Sequence, residues 1–138
     1  MILLDTNVIS EGMRPRPADI VRVWLNAQRA NDLFLCAPVL AELHYGIERL
    51  PPGERREHLE AALKAIEDGF SDRTLPFETH AASEFGRVMA DREKRGLTMG
   101  TIDGMIASIA RIHEAAIATR DVRGFEHLGI DLVDPFVV

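Results

Sequence analysis

Apolar residues along this chain follow two alternating patterns. Short apolar runs, typical of buried strands, alternate with longer segments in which apolar residues recur every three or four positions, as they do on one face of a helix. Strands are predicted at residues 1–4, 33–36, 74–77, 116–119 and 131–133. Helices are predicted at residues 20–25, 38–50, 54–70, 79–95 and 101–110. Strand and helix therefore alternate through the whole chain.

Proline, glycine and threonine mark the expected ends of several elements. Pro38 suits the first turn of a helix, where its missing N–H is not needed, and Gly96 suits a helix end. Thr79 is predicted to cap the helix that follows it through its hydroxyl. Because Pro76 cannot donate a hydrogen bond to a neighbouring strand, residues 74–77 are expected at the edge of a sheet.

Strands that alternate with helices predict an α/β fold with a mainly parallel sheet of four or five strands. Right-handed connections place helices on both faces of such a sheet, which gives three α/β/α layers. The chain has 138 residues, of which 46% are hydrophobic, and no internal repeat or linker. Residues 1–138 are therefore expected to form a single domain around one core.

Four carboxylates stand in or beside apolar segments, where charge is costly. Asp5 and Asp121 follow predicted strands, and Glu42 and Asp103 lie near the starts of predicted helices. All four positions face the carboxyl ends of the strands, the edge at which sheets of this kind bind ligands. A buried carboxylate without a counter-charge loses roughly several kcal/mol of hydration free energy. The four acids are therefore expected to share a divalent cation.

The expected ion is Mg²⁺, with Mn²⁺ as a plausible substitute, because both prefer oxygen ligands. The five histidines are scattered and show no zinc-ligand pairing. An acidic metal site acts on phosphate esters by neutralising oxygens and activating water, so hydrolysis of a phosphodiester is the expected reaction. Thr6, Asn7 and Thr119 are short polar neighbours that could orient a carboxylate or hold a bound water.

Each acid also has a local interpretation. Asp5 could close a turn, Glu42 could be an exposed helix residue, and Asp103 could be favoured by the positive end of a helix dipole. Asp121 could cap a short helix after it. A shared site is favoured because the local interpretations require four independent coincidences at one edge of the sheet.

Net charge limits the ways in which the chain could bind nucleic acid. The formal charge of -6, from 16 basic and 22 acidic residues, argues against binding phosphates through overall electrostatics. A local basic rim remains available, although most of its members are expected on solvated helix faces. The candidates are Arg14, Arg16, Arg55, Arg56, Arg92, Lys94, Arg95, Arg120 and Arg123. Without a leader or a long apolar run, the protein is expected in the cytoplasm, with no membrane partner.

Five segments together resemble the PIN-domain ribonucleases. They are residues 2–10 (ILLDTNVIS), 38–46 (PVLAELHYG), 103–107 (DGMIA), 118–125 (ATRDVRGF) and the tail 134–136 (DPF). The sequence is most similar to VapC-like toxins of type II toxin–antitoxin pairs, in the FitB-like branch. This resemblance implies a PIN-like fold and an endoribonuclease that depends on Mg²⁺ or Mn²⁺.

The same resemblance implies roles for individual residues. Asp5, Glu42, Asp103 and Asp121 take the positions of the metal-binding acids, and Thr119 takes that of the supporting hydroxyl. Asp5 and Asp103 would hold the principal ion, with the other two acids acting through water or a second ion. Many relatives carry a further acid just before the Phe of the fourth segment, where this chain has Gly124.

The resemblance also implies protein partners. It predicts a homodimer and a small cognate antitoxin whose C-terminal segment wraps the toxin and places a basic side chain among the acids, giving a higher-order complex. DNA would be bound only through the antitoxin. The groove for this segment is expected near the Trp24 helix and the helix of residues 43–50.

Two rival functions remain. Some phosphatases begin with an apolar strand and a nucleophilic Asp, but they place a second Asp two residues later, where this chain has Asn7, and an amide cannot exchange a proton in that role. A catalytically silent PIN-like module could bind RNA or protein without cutting it. The presence of all four acids disfavours that module.

Overall fold

The computed structural model describes residues 1–137 as five strands and six α-helices. The strands are β1 (Ile2–Leu4), β2 (Leu33–Cys36), β3 (Thr74–Leu75), β4 (Ala116–Ala118) and β5 (Leu132–Val133). The helices are α1 (Thr6–Gly12), α2 (Asp19–Ala27), α3 (Ala37–Glu48), α4 (Glu54–Gly69), α5 (Thr79–Lys94) and α6 (Thr101–Ile112). Short 3-10 helices cover Ala30–Asp32 and Val122–Phe125. Val138, the last residue of the expected domain, lies outside the described residues.

The five strands form one parallel sheet in the order β3-β2-β1-β4-β5, which confirms the predicted fold class. Ile2 pairs with Leu33 on one side and with Ala116 on the other, so β1 is central. β3 is an edge strand, as predicted from Pro76. It is shorter than predicted, because Pro76 and Phe77 lie beyond its last paired residue.

The direction of the connections reverses at β1. The chain runs from β1 to β2 and β3 on one side and then returns past β1 to β4 and β5 on the other. Since right-handed crossovers in opposite directions cover opposite faces, the helices flank the sheet on both sides. The reversal also opens a crevice between the carboxyl ends of β1 and β4, the position at which sheets of this kind bind ligands.

The core surrounds the central strands and α6. Leu3, Leu35 and Ile117 are fully buried on three neighbouring strands. In α6, Ile106 and Ile109 are also fully buried, which agrees with its predicted apolar character. A helix so enclosed fixes the position of its first turn, and that turn carries Asp103.

Local features show where the sequence prediction was right and where it was wrong. Gly96 has a φ of 69° and the N–H of Leu97 donates to the carbonyl of Arg92, as expected of a glycine helix end. Thr79 is not the cap of α5; Glu78 holds that position and no side chain caps the helix. The prediction missed α1, whose first residues it interpreted as a turn. Among residues 1–137, no helix is both long and apolar enough to cross a membrane.

Candidate functional site

Asp5 ends β1 and begins α1. Its carboxylate accepts hydrogen bonds from the Thr6 backbone N–H at 2.8 Å and from the Thr119 hydroxyl at 2.7 Å. The side-chain amide of Asn7 donates to it at 3.3 Å. Only 5% of Asp5 is exposed. Burial raises the pKa of the Asp5 carboxyl and outweighs the opposing hydrogen bonds from Thr119 and Thr6; the charges of Glu42 and Asp121 raise it further.

Thr119 and Asn7 join the ends of β1 and β4. The buried Thr119 hydroxyl oxygen accepts from the Asp121 N–H at 3.0 Å and from the Asn7 amide at 3.2 Å. The Asn7 carbonyl oxygen accepts from the Arg120 N–H at 3.0 Å. Both residues were predicted to orient a carboxylate, and both donate to Asp5. Thr6 contributes its backbone N–H, while its buried hydroxyl has no partner among the described residues.

Asp103 lies half-buried in the first turn of α6. Burial is the main cause that raises the pKa of its carboxyl to about 6, and the charges of Asp5, Glu42 and Asp121 add to the effect. The other three predicted acids therefore lie within electrostatic range of Asp103. The four acids thus lie at the same edge of the sheet, as expected, but they do not form a closed set of metal ligands within residues 1–137.

Glu42 and Asp121 are both exposed. The alternative local roles predicted for them, an exposed helix residue and a helix cap, are also observed. Glu42 lies on the solvent side of α3. Asp121 caps the 3-10 helix that follows it by accepting from the Gly124 N–H at 3.2 Å. A Cβ added at Gly124 would lie 2.4 Å from an Asp121 carboxylate oxygen. An acid at position 124 would therefore displace the Asp121 side chain. The cap formed by Asp121 thus depends on glycine at position 124.

The donor chemistry of the four acids fits a divalent metal ion. All donors are oxygens, and none of the four acids forms an ion pair with Lys, Arg or His anywhere in residues 1–137. As placed, however, no three His, Cys, Asp or Glu side chains in that range are close enough to hold an ion. The ligand set is thus not closed, and Glu42 and Asp121, the exposed members, would have to turn inward to complete it.

A groove of about 700 Å³ opens beside the acids. Glu42 and Asn7 line the end near Asp5, Leu43 and Ile47 line an apolar part, and Arg55 and Arg120 add positive charge. The groove includes the predicted helix of residues 43–50. Trp24 is not among the lining residues.

One buried charged residue near the site, Glu11, escaped the sequence analysis. Glu11 is 7% exposed and accepts from the Ala18 N–H at 2.9 Å and the Arg14 guanidinium at 3.4 Å, which anchors the loop between α1 and α2. The position of Glu11 among the apolar residues Val8, Ile9 and Met13 was the sequence feature that could have indicated its burial. Burial of the Glu11 charge is costly for the same reason that singled out Asp5 in the sequence.

Arg92 corrects an expectation. It was grouped with basic residues available for phosphates or on solvated faces, yet it is 3% exposed. Its guanidinium donates to the Gly124 carbonyl at 2.5 Å, and its Nε has no partner among the described residues. Arg92 therefore stabilises the turn that carries Asp121 through this hydrogen bond.

Comparisons with known proteins agree with this architecture. The sequence matches the PIN domain family over residues 2–130. It is 37% identical to the VapC ribonuclease Y4jK of Sinorhizobium fredii, over 99% of this chain and 98% of that protein. It is 35% identical to the toxin FitB of Neisseria gonorrhoeae, over 99% of both chains.

A solved structure gives the same result. The crystal structure of FitAcB from Neisseria gonorrhoeae superposes with a TM-score of 0.92 and 34% identity, over 100% of both chains. The family match covers nearly the whole chain, and the strand order, the acids at the carboxyl edge and the relatives agree with one another. The chain belongs to the PIN-domain family, among the proteins similar to VapC and FitB.

Proposed function

We propose that this protein is a metal-dependent endoribonuclease toxin that is held inactive by a cognate antitoxin. The observation that carries this function is the group of four carboxylates at the carboxyl edge of the sheet. Burial and the charges of the other three acids raise the pKa of Asp103, and none of the four has an ion-pair partner in residues 1–137. Relatives named as a ribonuclease and as a toxin support the reaction and the biological role.

The four acids would hold one or two divalent ions. Asp5 and Asp103 would bind the principal ion, and Glu42 and Asp121 would bind through water or a second ion. When bound, Mg²⁺, or Mn²⁺ in its place, neutralises phosphate oxygens and lowers the pKa of a water molecule. The expected products carry a 5′ phosphate and a 3′ hydroxyl.

The protein's own residues prepare this site before RNA arrives. Thr119 and Asn7 fix the orientation of the Asp5 carboxylate through hydrogen bonds of 2.7 and 3.3 Å. Thr119 also holds the Asp121 N–H, so the two acids are set relative to each other. Glu42 and Asp121, the exposed carboxylates, would turn inward and help accept a proton from the attacking water.

The groove beside the acids suits an inhibitory peptide segment. An arginine of the antitoxin could pair with the carboxylates, while an apolar side chain packs against Leu43 and Ile47. We also propose, from the similarity to VapC and FitB, a homodimer, a larger complex with the antitoxin, DNA binding through the antitoxin alone, and action on RNA in the cytoplasm.

The rival functions make different demands on the site. A phosphotransferase would need an acid near Asp5, but Asn7 occupies that position and its amide donates to Asp5. A silent binding module would have no need for four mutually repelling carboxylates, which cost folding free energy unless a cation compensates them. Cleavage by the wild type and loss of cleavage in Asp5→Asn separates an enzyme from such a module.

Sequencing of RNA ends after brief expression tests the proposed function. New 5′-phosphate ends are expected with the wild type and not with Asp103→Asn. Asp131→Asn, an exposed aspartate outside the acid cluster, serves as the matched control and should behave as the wild type. Identical end profiles for wild type and Asp103→Asn would refute ribonuclease action at this site.

A further inference from the structure

The segment of residues 134–136 belongs to the family resemblance but has no part in the chemistry of the four acids. In the structure it forms a local turn that carries the Phe136 ring. The Asp134 side chain accepts from the Phe136 N–H at 2.8 Å, and Pro135 is buried. These contacts hold the Phe136 ring at the surface, beside the turn that follows β4.

The guanidinium of Arg120 lies directly over this ring. The distance from its central carbon to the ring centroid is 3.7 Å. Among the three arginine–aromatic pairs in residues 1–137, this is the tightest, since the other two distances are 4.8 and 5.3 Å. A guanidinium stacked in this way keeps the N–H groups at its edge available for other partners.

The backbone of Arg120 is also fixed. Its N–H donates to the Asn7 carbonyl oxygen, and Asn7 in turn donates to Asp5 and Thr119. Arg120 thus lies between Thr119 and Asp121 in the chain and lines the groove together with Glu42. Any movement of the Arg120 backbone relative to the acids would break this polar bridge.

No acid among the described residues, 1–137, forms an ion pair with Arg120. By contrast, Arg14, in the same groove, pairs with Glu11 at 3.4 Å. A positive charge that is unpaired in the groove lined also by Glu42, in a chain with a net charge of -6, favours an anionic ligand.

We infer that Arg120 binds a phosphodiester group of the RNA at or next to the cleaved bond, with Phe136 as the positioning residue that holds its guanidinium. This inference rests on the proposed ribonuclease function. It identifies Arg120 as the residue that binds the RNA phosphate backbone next to the acidic site. A planar guanidinium can bind two phosphate oxygens at once, which fixes their orientation as well as their distance. Because the ring restricts the side chain beforehand, less conformational entropy is lost on binding.

Cleavage kinetics of the purified full-length protein test this role. The substrate is a short RNA that contains the site found by end sequencing, and kcat and KM are measured in Mn²⁺ from 50 to 200 mM salt. Arg120→Ala should raise KM about ten-fold or more with little change in kcat, because a charge-assisted contact to the substrate is lost. The slope of log(kcat/KM) against log salt should become shallower by about 0.7, the value for one contact to single-stranded nucleic acid.

Two further variants distinguish binding from a structural effect. Arg120→Lys should keep the salt slope and recover only part of the KM, since it retains charge but not the planar fork. Phe136→Leu should raise KM by about three-fold and leave the slope unchanged, because the guanidinium is still present but less restricted. Melting temperatures of all variants verify folding.

Arg49→Ala is the matched control. Arg49 is exposed, lies 5.3 Å over the Tyr45 ring, has no acidic partner among the described residues and does not line the groove. Its removal takes away the same charge and the same kind of stacking and should leave KM and the salt slope unchanged.

Other outcomes would overturn the assignment to Arg120. A wild-type KM and slope in Arg120→Ala exclude phosphate binding, and a fall in kcat at constant KM indicates a structural role instead. Normal cleavage with loss of antitoxin inhibition would show that Arg120 binds the partner. If the wild type cuts no RNA, the proposed function fails by itself, and RNA affinities of Asp103→Asn with and without Arg120→Ala still test the phosphate contact.

Discussion

Asp103 carries its charge at a cost that depends on pH. The pKa of its carboxyl rises from 3.8 to about 6 in the folded protein, mainly through burial. The native state therefore binds this proton more tightly than the unfolded chain. In the absence of metal, the stability gained from the proton is complete below about pH 4 and is lost as the pH rises through 6.

Asp103→Asn should therefore stabilise the metal-free protein at pH 7. The full shift corresponds to about 3 kcal/mol, and solvent screening of a half-exposed group reduces it to about 1 kcal/mol. At pH 4 the gain should disappear, because Asp103 is already largely protonated in the folded protein. Urea unfolding at both pH values, in chelator, measures the effect. Asp131→Asn is the control, and an equal gain at both pH values would show that charge is not the cause.

Thr119 should matter through its hydroxyl. It donates to Asp5 at 2.7 Å and accepts from the Asp121 N–H at 3.0 Å, and it is fully buried. Thr119→Val keeps the shape but leaves both partners without this contact, so it should lower the unfolding free energy by about 2 kcal/mol and reduce RNA cleavage. Thr119→Ser should retain most of both properties. Comparable losses in the two variants would indicate that the methyl group is the important part.

At the scale of elements, the sequence predicts long periodic segments better than short ones. The apolar periodicity identified α2 to α6 and all five strands, and Pro76 correctly indicated an edge strand. α1 was missed because it has only seven residues and begins with Thr6 and Asn7, which also favour turns. Its formation depends on the Asp5 cap and on burial of Val8 and Ile9, which only the tertiary structure reveals.

Some residues of the candidate site could likewise be predicted from the sequence and others could not. The four acids could be identified because charge beside apolar segments is unusual, and this signal lies in the sequence. The role of Arg92 could not, because its partner is a backbone carbonyl at Gly124, 32 residues away. The stacking of Arg120 on Phe136 likewise depends on how the chain turns after β4 and β5.

The packing of α5 on α6 gives a prediction at this scale. A Cβ at Gly104 of α6 would lie 2.6 Å from the Met89 sulfur and 3.0 Å from the Phe85 ring on α5. Gly104→Ala should therefore destabilise the fold by about 1–3 kcal/mol despite the higher helix propensity of alanine.

Gly86→Ala on α5 is the matched control for this close approach. Nothing lies within 4 Å of a Cβ at that position, and the residue is exposed. This variant should gain up to about 1 kcal/mol from helix propensity alone. Thermal unfolding of both variants gives the comparison, and stabilisation by Gly104→Ala would mean that the two helices can separate without cost.

For the whole molecule, metal binding and folding should be coupled. The acids come from β1, α3, α6 and the turn after β4, so one ion would connect elements distributed over most of the chain. A ligand that binds only the folded state stabilises it by about 2.7 kcal/mol at 100 times its dissociation constant.

Added Mn²⁺ should therefore raise the melting temperature of the wild type. The increase should be smaller in Asp103→Asn and undiminished in Asp131→Asn, as measured by differential scanning fluorimetry over a titration of the metal. A wild type whose melting temperature does not respond to Mn²⁺ would remove the case for a shared ion.

The pairing of β1 with β4 has a consequence for how this protein is made. Asp5 is synthesised 114 residues before Thr119, the residue that orients its carboxylate. On the ribosome, β1 therefore cannot pair with β4 until residues 116–118 have emerged. Under the proposed function, the acid site lacks its orienting hydroxyl until Thr119 has emerged, and an inhibitor is needed only from that point of synthesis.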